Sequence, residues 1–141
     1  MLFDWVRKKE PSKIVNPLQV DIHSHLLPGL DDGVQSYEES EDIILHFQQL
    51  GYRKLVTSPH VMSDTYKNTP DKILSRLDKL RIYLKTQEID MEIDAAAEYY
   101  LDEQVFRMVE ANQQMLTFGK KFLLFETNFL NEPINLKEFI F

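Results

Sequence analysis

The apolar residues of this chain follow two spacings that alternate along its length. Short apolar runs are typical of buried strands, whereas apolar residues three or four positions apart are typical of one helix face. Four segments are predicted to be strands: "LQVDIHSH", "KLVTSPH", "MEIDAAAEYY" and "KFLLFETN". Three segments between them are predicted to be helices, and a fourth begins like a helix: "SYEESEDIILHFQQLGY", "TPDKILSRLDKLRIYLKTQ", "DEQVFRMVEAN" and "INLKEFIF". This alternation predicts an α/β fold with parallel strands, in a sheet or a barrel.

Capping residues mark where two of these helices begin. Ser36 is followed three residues later by Glu39, and Gly51 follows the helical segment, as at the two ends of many helices. Thr69 precedes Pro70, and proline is favoured in the first turn of a helix. These signals predict that the first two helices begin near Ser36 and Thr69.

The composition is that of one small globular domain. The chain has 141 residues, no cysteine and a net charge of −7, so a metal ion would need nitrogen and oxygen ligands, and nucleic acid is not expected as a partner. We predict a polar arm over residues 1–17 and one domain over 18–141. No apolar run reaches the ~18 residues of a membrane span, and the first residues lack the apolar core of a signal peptide. We therefore expect no membrane insertion and a cytoplasmic location.

Polar residues with metal-binding chemistry fall at the ends of the predicted strands. Three of the four histidines and two glutamates lie there: His23, His25, His60, Glu98 and Glu126. Because the carboxyl ends of parallel strands share one edge, these side chains are expected to converge. His23 and His25 have the spacing that places side chains on the same face of a strand, and Asp21 shares it, so Asp21 could orient a ring N–H.

A set of imidazoles and carboxylates suits Mn²⁺, Fe²⁺ or Zn²⁺. Such a centre can activate water and neutralise phosphoryl oxygens, so metal-assisted phosphoester hydrolysis is the predicted chemistry. From the residues alone a second interpretation remains, in which the histidines are hydrogen-bonded core residues and the acids are solvated. His46 lies inside the first predicted helix and is interpreted as an ordinary helix residue.

The segments "DIHSHLLPGLDDG", "TSPH", "AAAEYY" and "LLFETN", in this order, resemble the PHP (polymerase and histidinol phosphatase) superfamily. They are most similar to its bacterial tyrosine-protein phosphatases of capsule and exopolysaccharide synthesis. The resemblance covers residues 18–141. It implies a distorted (β/α) barrel with up to three metal ions at the carboxyl ends of its strands. Manganese is the expected metal, and iron and zinc are the alternatives.

The resemblance also implies roles for individual residues. His23 and His25 would bind the first ion, Glu98 would bridge the first and second ions, and Glu126 would bind the second.

The third ion is expected between Asp31 and His60, and these two residues are also the expected catalytic pair. Asp32 is expected beside them, either as a ligand or as an acid that orients the loop.

The implied substrate is the phosphotyrosine segment of a bacterial tyrosine kinase, attacked in line by a metal-bound hydroxide without a covalent phospho-enzyme. Family members run to roughly 250 residues, the size of a full barrel, and contain further "His-Pro-Glu-Arg"-like and "Asp-x-His" segments. The chain therefore resembles the amino-terminal half, and we expect a homo-oligomer or a complementing carboxyl-terminal fragment. Two alternatives stay open: a non-catalytic remnant that acts as an interaction module, and a PHP phosphatase for a small phosphate ester.

Overall fold

The computed structural model describes residues 17–119, 121–130 and 136–137. The predicted polar arm, except for its last residue, lies outside the described residues, as does most of the predicted helix at the end of the sequence. The described elements are β1 Val20–Asp21, α1 Tyr37–Gln49, β2 Lys54–Thr57, β3 His60–Val61, α2 Pro70–Thr86, β4 Glu92–Ala95, β5 Glu98–Tyr100, α3 Glu103–Glu110 and β6 Leu124–Glu126.

These strands form two three-stranded sheets, and every pairing is parallel. The order is β1-β2-β4 in what we call the first sheet and β3-β5-β6 in the second sheet. The predicted α/β class with parallel strands is therefore confirmed. The connections between paired strands contain helices, as parallel pairing requires.

Two of the predicted strands are each divided between the two sheets. "KLVTSPH" is interrupted at residues 58–59 and "MEIDAAAEYY" at residues 96–97. Hydrogen bonds continue across the interruptions, from Ala96 N to Thr57 O (2.9 Å) and from Glu98 N to Pro59 O (3.0 Å). Pro59 has no N–H to donate to a ladder, which is consistent with a break at this point. The downstream halves carry His60 and Glu98 into register with each other.

The helix boundaries follow the capping residues. The Ser36 side chain accepts a hydrogen bond from Glu39 N at 3.2 Å, and the Thr69 side chain accepts one from Lys72 N at 3.3 Å. Gly51 follows α1 with a φ of +89°, a left-handed conformation that glycine adopts without steric cost. Both predicted helix starts are confirmed.

The apolar core lies between the first sheet and the helices. Leu55 of β2 and Ile93 of β4 are in register and buried. Helix α1 contributes Ile44, and α2 contributes a buried stripe of four residues: Ile73, Leu77, Leu80 and Leu84. Full burial of one such side chain stabilises a fold by about 1.5–3 kcal/mol, so this packing holds the first sheet in place. In the part of the chain that the structure describes, no helix is long and apolar enough to cross a bilayer.

Candidate metal centre

The two histidines of the first predicted strand, His23 and His25, lie just beyond β1, in the segment that connects β1 to α1. Their ring centroids are 5.3 Å apart. Both rings face the same carboxylate: His23 Nε2 lies 3.8 Å and His25 Nε2 lies 3.5 Å from Glu98 Oε2. The pair therefore converges as the spacing predicted, although β1 ends at Asp21 and the two rings are held by loop backbone.

One hydroxyl group fixes the backbone on either side of His25. Thr57 Oγ1 donates to Ser24 O at 2.9 Å and accepts from Leu26 N at the same distance. Thr57 is fully buried at the end of β2. The end of the first sheet thus sets the position of His25.

Glu98 is the shared residue of the site. It is the first residue of β5, and its side chain is 11% exposed. Besides His23 and His25, its Oε2 atom lies 3.4 Å from His60 Nδ1. Three imidazoles from two separate segments therefore surround one carboxylate oxygen.

Three groups of potential metal ligands overlap on these residues, and within each group the ligand atoms lie within 4.8 Å of one another. The groups are His23, His25 and Glu98; His25, Asp32 and His60; and His60, Glu98 and Glu126. We call the six residues the rim site: His23, His25, Asp32, His60, Glu98 and Glu126. In the third group, strand register places His60 beside Glu98 across β3 and β5, and Glu126 lies opposite Tyr100, two residues beyond Glu98 along β5.

His60 gives the strongest indication of what the rim site holds. Its Nδ1 atom is buried and makes no hydrogen bond with any described residue. The nitrogen faces Glu98 Oε2 at 3.4 Å and Glu126 Oε2 at 3.5 Å. An unsatisfied buried polar atom costs about 1–3 kcal/mol. A cation shared by this nitrogen and the two carboxylates would satisfy all three, so the residues fit a divalent metal ion.

Asp31 is placed differently from the expectation that it binds the third ion. Its side chain is 0% exposed, and Oδ2 lies 2.8 Å from His25 Nδ1. The same oxygen accepts a hydrogen bond from His60 N at 2.9 Å, and Oδ1 accepts one from Gly33 N at 3.0 Å. Asp32 Oδ1 instead lies 3.6 Å from His60 Nε2. Of the two adjacent aspartates, Asp32 belongs to the rim site and Asp31 packs behind it.

The expectation that Asp21 orients a histidine ring is wrong for the described site. Its Oδ2 atom is buried and forms no hydrogen bond within the described part of the chain. Ser58 Oγ lies 2.8 Å from His23 Nδ1 and takes that role. Ser58 was missed, although its position two residues before His60 at the end of the same predicted strand could have marked it.

The Asp31 and His25 contact shifts the pKa values of both groups. The hydrogen bond with Asp31 raises the pKa of His25, although burial opposes it. Burial raises the pKa of Asp31, but hydrogen bonds from His25 and from the backbone of His60 and Gly33 outweigh it and lower the pKa overall. Asp31 is therefore an ionised acceptor at neutral pH.

The loop between β3 and α2 covers one face of His60. The Tyr66 ring is stacked on the His60 ring, with centroids 5.6 Å apart and planes at 15°. Asn68 is buried and donates to His60 O and to Leu30 O, each at 2.8 Å. This loop therefore contacts both the ring and the backbone of His60, whose ring centroid also lies 4.6 Å from that of His25.

His46 lies away from the rim site, as predicted. It is an exposed residue of α1, and its Nδ1 atom bonds the Asp42 carbonyl of the same helix at 2.7 Å. It therefore serves as a matched control for the histidines of the rim site.

Comparisons with known proteins agree with this geometry. Residues 19–140 match the family model for CpsB/CapC proteins of capsular polysaccharide synthesis. The chain is 26% identical over 114 residues to the tyrosine-protein phosphatase YwqE of Bacillus subtilis, across 81% of this chain and 45% of that protein. It is also 26% identical over 107 residues to the tyrosine-protein phosphatase CpsB of Streptococcus pneumoniae, across 76% of this chain and 44% of that protein.

A solved structure shares the fold. Crystal structures of YwqE and CpsB, described as metal-dependent tyrosine phosphatases, include a chain that matches this one with a TM-score of 0.76 and 26% identity. The match covers 85% of this chain and 49% of that chain. The chain thus spans about half the length of the relatives it matches. On the family match and the shared fold, the chain belongs to the CpsB/CapC family of capsular polysaccharide synthesis proteins.

Proposed function

We propose that this chain supplies the rim site of a metal-dependent protein-tyrosine phosphatase that acts in capsular or exopolysaccharide synthesis. The observation that carries the proposal is the convergence of three imidazoles on Glu98 Oε2, with His60 Nδ1 facing two carboxylates without a hydrogen bond. The relatives provide the reaction class, because YwqE and CpsB are metal-dependent tyrosine phosphatases.

The geometry favours a pair of ions bridged by Glu98. His23 and His25 would hold one ion with Glu98, and His60 and Glu126 would hold the other. A neutral imidazole has one free lone pair, so a third ion beside Asp32 would bind His60 Nε2, which faces that carboxylate at 3.6 Å, in place of a bond from His60 Nδ1 to the second ion. Asp32 takes the place in this assignment that the family resemblance implied for Asp31.

The ions, when bound, lower the pKa of water and neutralise charge on phosphoryl oxygens. The protein holds the metal-binding side chains in position. Asp31 and Ser58 orient two of the imidazoles, and Thr57 holds the backbone on both sides of His25. His23 is the most open of the three histidines, with 49% of its side chain exposed, which leaves a route for a phosphoryl group from solvent.

We propose manganese as the metal, with iron or zinc as the alternatives. Support comes from the donor set, since imidazole and carboxylate ligands without thiolate suit these ions. For the substrate we propose a phosphotyrosine segment of a bacterial tyrosine kinase in the cytoplasm, supported by the reaction that the relatives are named for.

We also propose that the working unit is an assembly, formed by two copies of the chain or by the chain with a complementing carboxyl-terminal fragment. Support comes from apolar side chains exposed near the outer strands of both sheets. Ile22, just after β1, is 61% exposed, and Phe129, shortly after β6, is 96% exposed. Light scattering on the purified chain, alone and with such a fragment, tests this proposal: a monomer that gains no mass would contradict it.

The central experiment measures metal content per chain after purification without chelator. We expect bound metal in the wild-type chain and in His46→Ala, and a strong loss in His23→Ala. Equal metal content in the two variants would contradict the assignment. Hydrolysis of a phosphotyrosyl peptide with and without chelator then tests the reaction itself, and the complete absence of metal-dependent hydrolysis would favour a non-catalytic interaction module.

A further inference from the structure

We infer that Asp31 is a positioning residue that sets the tautomer of His25 and ties the His25 loop to the backbone of His60. It would act on a bound metal only through these two residues. The inference rests on the proposed function in naming a metal ion as the ligand, but the tautomer it assigns exists in the metal-free protein and is measured there.

The first step is that the Asp31 carboxylate is fully used by protein groups. Oδ2 contacts His25 Nδ1 at 2.8 Å and accepts from His60 N at 2.9 Å. Oδ1 accepts from Gly33 N at 3.0 Å. The side chain is 0% exposed, so these three nitrogen atoms, and no solvent, surround the carboxylate.

The second step concerns the proton on the His25 ring. An ionised carboxylate only accepts hydrogen bonds, so the proton of a neutral His25 ring must lie on Nδ1. The lone pair is then on Nε2, the nitrogen that lies 3.5 Å from Glu98 Oε2. Asp31 thereby selects the tautomer in which the metal-facing nitrogen is free to bind, which is the known role of carboxylates behind metal-binding histidines.

The third step is that one oxygen joins two ligand-bearing segments. Oδ2 holds both the ring of His25 and the backbone of His60, which are 35 residues apart in the chain by their numbers. The loop is closed tightly around this contact: a Cβ on Gly33 would lie 2.4 Å from His25 Cβ and 2.5 Å from His25 O. A side chain at position 33 would therefore push the loop away from His25.

The test is Asp31→Asn, which keeps the shape and removes one acceptor. If the amide oxygen keeps the Oδ2 position, the NH₂ group meets the Gly33 N–H, donor against donor. If the amide turns over, NH₂ faces His25 Nδ1 and favours the proton on Nε2. The first outcome leaves His25 with a neutral acceptor and strains the loop at Gly33, and the second reverses the His25 tautomer, so metal affinity should fall in both.

Two measurements follow the effect. Nitrogen-15 NMR of the imidazoles in metal-free protein, in alkaline buffer, should show His25 protonated on Nδ1 in wild type, and a shift toward Nε2 for every Asp31→Asn molecule whose amide has turned over. Calorimetric titration with Mn²⁺ alone should show an affinity about 10- to 100-fold weaker in the variant. This is the range typical for the loss of a residue that hydrogen-bonds to a metal ligand.

Asp102→Asn is the matched control. Asp102 also accepts two backbone N–H groups, from Val105 at 3.0 Å and Ser63 at 2.9 Å, and caps α3. This variant should lose stability but keep the His25 tautomer and the Mn²⁺ affinity.

A wild-type His25 protonated on Nε2 would overturn the inference, and this measurement decides even if Asp31→Asn does not fold. An Asp31→Asn protein with the wild-type tautomer and affinity would also overturn it. If wild type binds no Mn²⁺, the proposed function fails while the tautomer comparison still decides the role of Asp31.

Discussion

The two sheets are built alike but use their strands differently. In the first sheet, Leu55 and Ile93 are paired in register and buried under the helices. In the second sheet, the equivalent pair is His60 and Glu98, whose polar atoms face each other. The same parallel pairing thus supports an apolar core in one sheet and a polar site in the other. The interruptions at residues 58–59 and 96–97 separate these two uses within single predicted strands.

This difference implies that stability and metal binding can be changed separately. The largest expected effect on stability comes from Leu55→Ala in the first sheet. The side chain is 0% exposed, and a truncation of this kind costs about 2–5 kcal/mol. Urea unfolding should detect the loss, and metal content per folded chain should not change. Leu74→Ala, at a site that is 36% exposed on α2, is the control and should cost much less; equal losses would contradict the assignment of the core.

Glu98→Gln should have the opposite pattern. The shared carboxylate is lost, so both proposed ions lose a ligand. Metal affinity should therefore fall by more than the ~10- to 100-fold that is typical when a residue that only hydrogen-bonds to a metal ligand is lost. Stability of the metal-free protein should change little. The same substitution in the first sheet, Glu92→Gln, removes an exposed partner of Lys54 at 2.6 Å and should leave metal binding intact. Equal metal affinities in the two variants would contradict the proposal that Glu98 of the second sheet, and not Glu92 of the first, is a metal ligand.

Thr57→Val tests the connection between the two regions. The hydroxyl bonds Ser24 O and Leu26 N, and its loss leaves a buried N–H without a partner, at about 1–3 kcal/mol. We expect lower stability and weaker metal binding together, because His25 lies between the two bonded residues. Thr86→Val, whose exposed hydroxyl bonds Tyr83 O at 2.6 Å, should change neither. An effect on stability alone would mean that the hydroxyl does not position His25.

The pH dependence of stability in the metal-free protein should be the smallest effect. The raised pKa of His25 stabilises the fold fully below the unfolded pKa of about 6.5, and this contribution is lost as pH rises through the folded value. The lowered pKa of Asp31 stabilises above its unfolded value of about 3.9 and is lost as pH falls through the folded value. Urea unfolding over this range should show both slopes in wild type and smaller slopes in Asp31→Asn, where Asp102, whose pKa is also lowered, still contributes on the acid side. Identical profiles would contradict the coupling.

Local chemistry made much of the fold predictable. The capping residues Ser36 and Thr69 located two helices, and the alternation of apolar spacings located the strands, because both depend on neighbours in the chain. The break after Thr57 was not predicted, since the run "KLVTSPH" is continuous in pattern and its division depends on which strands pair with each half.

The site was predictable as a set of residue types but less so as a set of roles. Histidines and glutamates at strand ends converge because parallel strands share an edge. Asp31 and Asp32 are adjacent in sequence, and only the closing of the loop at Gly33 decides which carboxylate is buried behind His25. Ser58 and Asp21 show the same limit, because the residue that orients His23 comes from the segment after β2 rather than from β1, which lies just before His23.

The crowding of three imidazoles around a single Glu98 oxygen has a consequence for how the site fills. Protons and divalent cations compete for the same ring nitrogens, since an imidazole binds a metal only in its neutral form. Uptake of metal should therefore acidify a weakly buffered solution. Conversely, a fall in pH should weaken metal binding, which makes metal loading sensitive to the acidity of the surroundings.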